Sequence, residues 1–146
     1  MSESPPAYLH LRPDDPLPAL PVQSPFKTVI VAELPCTSDW RSDVATWLVR
    51  EGCLYCVCWG VDCSTWEGDA DWANTYVSES MGEAEWLHVM TTMHPGQPLA
   101  EAFWFHGQCA SDPDQDLGAG LIVHVASHPD PEGMIRTYKQ AQTYAS

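Results

Sequence analysis

Four apolar runs without regular polar alternation constrain this chain most: Phe26–Leu34, Cys53–Trp59, Trp86–Met93 and Gly120–Ala126. A strand with one wet face alternates apolar and polar residues. A run that stays apolar must be covered on both faces, which is the condition of a parallel sheet between helix layers. The segments between the runs carry helical stripes. Trp40, Val44, Trp47, Leu48 and Glu51 trace one, Leu99, Ala102, Phe103 and His106 a second, and Met134, Tyr138, Ala141 and Ala145 a third. Strand–helix alternation of this kind predicts a small three-layer, doubly wound α/β domain, Rossmann-like or flavodoxin-like, with a mainly parallel sheet of four or five strands. The most economical order of the four runs is 2-1-3-4, which puts a switch point between the first and the third.

Local signals place the helix ends. Pro35 stops the first run, Ser38 or Asp39 is positioned to cap a helix, and Gly52 suits its stop. Asp130 followed by Pro131 starts the last helix. Residues 62–85 read as a polar insertion containing a short helix, Asp69–Tyr76, with Trp72 and Tyr76 facing inward. Residues 1–25 hold seven prolines. Proline fixes φ and removes a backbone donor, so these residues are expected to form an extended arm outside the core, with 26–146 as the single domain. Tyr8, Leu9 and Leu11 are the residues that would pin the arm to the domain or to a second copy, and an uncovered edge strand would also support a homodimer.

Charge is distributed unevenly. From Glu51 to Ile135 there is no Lys or Arg, while the same stretch holds fourteen carboxylates, the source of the whole net charge of −14. Nucleic-acid binding depends on Lys and Arg contacts to phosphate, so direct binding of DNA or RNA is not expected, nor is adsorption to an anionic membrane. A basic protein partner is. No run approaches the roughly 18 apolar residues of a membrane span, and Met1–Pro6 has neither the charge nor the apolar stretch of a signal peptide. A cytoplasmic location follows as an expectation, with the six cysteines as free thiols.

In doubly wound folds, ligands sit outside the carboxyl ends of the strands. Those ends supply Glu33, Cys36, Thr37 and Asp39, then Asp62, Cys63, Ser64 and Trp66, then Thr91, Thr92 and His94, then Ser127, His128 and Asp130. The chemistry this set permits is a thiol nucleophile, Cys63 or Cys36, with His94 as base and Asp62 orienting it. No metal or cofactor is expected. Cys53, Cys56, Cys58 and Cys63 resemble a ligand set as text, but alternation along a strand turns Cys53 away from Cys56 and Cys58. The carboxylates Asp62, Glu67, Asp69 and Asp71 lack the pattern of a calcium loop. Neither a dinucleotide glycine fingerprint nor a phosphate-loop lysine is present.

Most aromatic residues fall at core spacings. Trp66, in the polar insertion, and Trp104, off its helix stripe, do not, and with Glu67, Asp69 and Asp71 they form the expected partner-binding set. The run Trp59-Gly60-Val61-Asp62-Cys63-Ser64-Thr65-Trp66, followed by Asp71-Trp72-Ala73-Asn74, resembles a family of small bacterial proteins of unassigned function. Val89–Thr92 and Phe103–Phe105 fit the same likeness, which implies a bacterial or phage origin and no mechanism. The favoured expectation is a non-enzymatic interaction domain for a basic protein. The alternative is a small thiol-dependent enzyme working at the strand ends.

Overall fold

A computed structural model describes residues 4–81 and 88–143. Strands β1 (Ala7–Leu11), β2 (Phe26–Ala32), β3 (Cys53–Gly60), β4 (Met90–Met93) and β5 (Leu121–Val125) form one parallel sheet in the order β1-β5-β2-β3-β4. Helices α1 (Ser38–Arg50) and α2 (Cys63–Met81) lie on one face, and α3 (Leu99–Gln108) and α4 (Pro131–Ala141) on the other. Side-chain alternation along β2 feeds both layers. Phe26, Ile30 and Ala32 pack with Trp40, Val44, Leu48 and Trp66. Val29 and Val31 pack with Phe103, Met134 and Tyr138. This is the doubly wound α/β domain that the continuous apolar runs predict.

The strand order differs from the expected one. β5 lies beside β2, so the switch point falls between β2 and β5 rather than between β2 and β4. Burial explains the difference. Every residue of β2 and β5 is buried, whereas Met90-Thr91-Thr92-Met93 is exposed at both ends and half-buried between. A strand that cannot fill two apolar layers belongs at an edge. Strand β4 is also shorter than the expected Trp86–Met93: residues 88–89 precede it as irregular chain, and Trp86 and Leu87 lie outside the described residues.

The proline-rich arm does not remain outside the core. Its residues 7–11 form the edge strand β1, in register with β5 from Ala7↔Leu121 to Leu11↔Val125. The connection that follows crosses the α1 side of the sheet, where Leu17, Leu20 and Val22 pack on the core. It is tied to α1 by Trp40 Nε1, which donates to the Asp15 carbonyl at 2.9 Å, and by Thr37 Oγ1, which donates to Asp14 Oδ1 at 2.7 Å. Thr37, rather than Ser38 or Asp39, caps α1.

Two further expectations change for local reasons. Between Phe26↔Cys53 and Lys27↔Tyr55 the β2–β3 register shifts, leaving Leu54 as an extra residue. The bulge resets the alternation. Leu54 and Tyr55 both enter the α3–α4 core, and Cys53 returns to the same face as Cys56 and Cys58. The described part of the polar insertion forms one 19-residue helix, α2, whose buried stripe is Cys63, Trp66, Ala70, Ala73 and Val77; residues 82–85 of the insertion lie outside the described residues. The small alanines let α2 approach the sheet and α1 closely. Trp72 and Tyr76 are consequently on the outside, the reverse of their expected direction.

Candidate functional site

The structure does not bring Cys63 or Cys36 together with His94. Cys63 opens α2 with its thiol buried in the α1–α2 core, and Cys36 packs half-buried against the same core. His94 is buried on the other side of the sheet, its ring centroid 4.9 Å from that of Phe105 in α3. Both of its ring nitrogens are taken, by Thr92 Oγ1 at 3.1 Å and Gln97 Oε1 at 3.0 Å, so it has no free nitrogen for a thiol. Asp62 is exposed with φ 59°, and its carbonyl accepts from Thr65 N and Trp66 N at the start of α2. Burial pushes the Cys36 thiol up, against a smaller downward pull from Arg41. That is the opposite of thiolate activation. Cys53 and Cys56 are fully buried and held well above the ordinary thiol range. Among the described residues, no group of three or more His, Cys, Asp or Glu side chains could hold a metal ion.

These positions give an expected labelling pattern. In the folded protein, iodoacetamide should modify Cys109 readily and Cys36 slowly. Cys53, Cys56, Cys58 and Cys63 should react only after denaturation, as followed by intact and peptide mass spectrometry. Alkylation of native Cys63 faster than a free peptide thiol would contradict this arrangement.

At the switch point, the structure gathers a set that only partly overlaps the expected one. Glu33 follows β2, His124 lies in β5, and Tyr8 lies in β1. His124 Nε2 is 2.9 Å from Glu33 Oε2, and its Nδ1 is 2.7 Å from the Tyr8 hydroxyl, which accepts from Asp130 N at 2.8 Å. The consistent proton arrangement has Tyr8 donating to Nδ1 and Nε2–H donating to the carboxylate. Desolvation raises the Tyr8 pKa, which keeps the phenol protonated as this donor. All of these donors are used internally, so the array fastens β1, β2, β5 and the start of α4 to one another. Tyr8 and His124 could be recognised only once β1 and β5 were known to be neighbours.

The expected partner-binding residues divide. Trp66 is 1% exposed and meets Trp40 edge-on at 6.3 Å between ring centroids, so it is core and is not available to anchor a partner. Glu67 accepts from Thr91 Oγ1 at 2.7 Å, tying α2 to β4. Asp69 takes the Arg41 Nε–H at 2.8 Å, an ion pair joining α1 and α2. Asp71 remains free on the surface. Trp104 is half-buried, and its indole Nε1 is enclosed without a partner.

The exposed aromatic surface lies elsewhere on α2. Trp72 is 65% exposed and Tyr76, one helical turn on, is 47% exposed. They form one wall of an open groove of about 660 Å³ between α1 and α2. Asp43, Trp47 and Arg50 of α1, with Glu51 at its C-cap, form the other wall, and Leu17 of the arm contributes to the lining. The Arg50 guanidinium carbon is 5.6 Å from the Tyr76 ring centroid, a cation–π contact. The sequence did contain a signal for this surface. Once small and apolar residues occupy the 3–4 stripe from Cys63 to Val77, Trp72 and Tyr76 are on the far side by helix geometry.

No helix among the described residues is long and apolar enough to cross a membrane. No curated protein and no solved structure matches the chain. A family model described as "Domain of unknown function (DUF7684)" matches residues 6–141, a span that begins just before β1 and ends with α4.

Proposed function

We propose, for a chain that belongs to this family, that it is an interaction domain whose α1–α2 groove takes a basic protein partner. The observation that carries this reading is the pair of large aromatic side chains, Trp72 and Tyr76, held one turn apart in water on a rigid helix. Tryptophan and tyrosine are the side chains most often found as binding hot spots, because each buries a large apolar area at small entropic cost. Their surroundings add the charge preference. Asp43 and Glu51 line the groove, Asp71 and Glu79 are exposed on α2, and Arg50 is the single base among the lining residues. A partner with Lys or Arg around an apolar centre complements that surface, and attraction by the net charge of −14 speeds their encounter.

The test starts from the tagged protein purified gently from its own host. Native mass spectrometry should reveal a bound protein of basic composition. Reconstituted with that protein, the Trp72→Ala/Tyr76→Ala double variant should bind on the order of a hundredfold more weakly, the size expected when two hot-spot aromatics are removed. Trp72 is mostly in water and Tyr76 about half, so the variant should keep its circular dichroism and lose little of its thermal midpoint. Undiminished binding by the folded double variant would remove the groove from the function.

A further inference from the structure

The groove carries enough detail to specify what kind of chain segment enters it. Most of its wall is helix interior, whose backbone groups are bonded within each helix. An extended peptide lying there would find few free N–H or C=O groups to pair with, whereas a helix satisfies its own backbone. The carboxylates Asp43 and Glu51 lie eight positions apart, near the middle of α1 and at its C-cap. That is about 12 Å along the helix axis. Trp47 lies between them on α1, and Trp72 and Tyr76 line the groove from α2. The face of Tyr76 already holds the Arg50 cation, so a partner's basic residues are directed to the two carboxylates.

We propose that the groove binds an amphipathic helix whose apolar stripe covers Trp47 and Trp72 and whose two Arg or Lys residues, about two turns apart, pair with Asp43 and Glu51. This rests on the reading of the groove as the docking surface. The matching interval follows from geometry: a helix lying along α1 places residues seven or eight apart at the same axial spacing as the two acids. Both carboxylates are exposed, so each pair retains partial hydration and the contribution is sensitive to salt.

The probe is a synthetic helical peptide of about 18 residues, long enough to be helical in water. It carries a leucine stripe flanked by two arginines two turns apart. A second peptide has glutamates in place of the arginines, and a third has the arginines on the face opposite the leucines. Fluorescence titration against the full chain should show the first bound at least tenfold tighter than either control, with the advantage shrinking as salt is raised. Asp43→Lys with Glu51→Lys should reverse the preference between the arginine and glutamate peptides, and Trp72→Ala should weaken all binding. Equal affinity for the three peptides, or an arginine preference that survives the double reversal, would overturn the proposal. If a host partner needs Trp72 and Tyr76 but the arginine helix does not bind, only the helix chemistry is wrong. If the host partner ignores both aromatics, the docking surface itself is wrong.

Discussion

Gly60→Ala is expected to destabilise the protein by about 3 kcal/mol or more, within the range of severe single substitutions. Gly60 ends β3 with φ 102°, a conformation that side-chain-bearing residues rarely adopt. A Cβ there would sit 2.1 Å from the carbonyl oxygen of Ala32, a backbone atom of the buried central strand. That same oxygen accepts the Val61 N–H at 2.8 Å, so it cannot move aside without breaking the turn that leads into α2. Backbone strain alone is worth roughly 1–3 kcal/mol, and the displacement of β2 adds to it. A typical domain has about 5–15 kcal/mol of total stability, so the variant should melt on the order of 10 °C lower or express mainly as aggregate. Gly68→Ala is the matched control. Gly68 lies inside α2 with nothing within 4 Å of a new Cβ, so alanine should stabilise by roughly 0.5–1 kcal/mol through helix propensity. Urea denaturation of the three proteins decides the matter. A Gly60→Ala midpoint equal to that of the parent would mean the turn is far more pliant than its geometry indicates.

The second large effect is an acid lability centred on His106. The ring is fully buried, with Nδ1 2.7 Å from the Tyr138 hydroxyl and Nε2 enclosed without a partner. Desolvation, then the nearby Lys27 ammonium, lowers its pKa from 6.5 to about 3. Lys27 is itself buried, its own pKa lowered by that burial, and donates to the His106 carbonyl at 2.8 Å. The unfolded chain takes up a proton as pH falls through 6.5, while the folded chain does not until near pH 3. Stability is therefore complete above pH 6.5 and declines below it, by at most about 1.4 kcal/mol per pH unit, until the folded pKa is reached. Between pH 7.5 and 5 the loss is roughly 2 kcal/mol, before most carboxylates titrate. His106→Gln should be less stable at neutral pH, because the His106–Tyr138 hydrogen bond and the ring packing are lost, and should lose this slope. Protonation of the many acids relieves charge repulsion in both proteins and cancels in the comparison. Parallel stability-against-pH curves for the parent and His106→Gln would show that His106 is not the responsible group.

The fold class was legible because covering both faces of a sheet leaves a composition that no other arrangement tolerates, and Phe26–Ala32 and Leu121–Val125 display it fully. The strand order was not, because it depends on which strand can be left at an edge. The polar Met90–Met93 carried that information, but it was obscured by extending the run back to Trp86. β1 was hidden by composition, since seven nearby prolines outweighed five residues of strand. The Cys53 direction failed through a single bulged residue, Leu54, which only the pairing with β2 reveals. The acidic character of the candidate surface was visible, but the identity of its acids was not. Glu67 and Asp69 are spent on Thr91 and Arg41, while Asp43 comes from α1 and Glu51 from its C-cap. The largest error concerned Trp72 and Tyr76. Their size suggested burial, yet the small residues on the opposite side of α2 decided which face met the core.

The edge strand β1 has a consequence for the chain during its own synthesis. Tyr8 is made well before its partner His124, which lies 116 positions later. The β2–β3 pairing and the α1 crossover can form while the ribosome is still producing α3, but β1 has no sheet to join until β5 emerges and settles beside β2. The strand of the sheet that is translated first is thus the last to be placed, and loop closure over so long an interval is slow. Until then, the outer edge of β5 remains open to any extended chain nearby, so the proline-rich segment that carries β1 acts as a late-arriving cover that competes with neighbouring polypeptides for that edge.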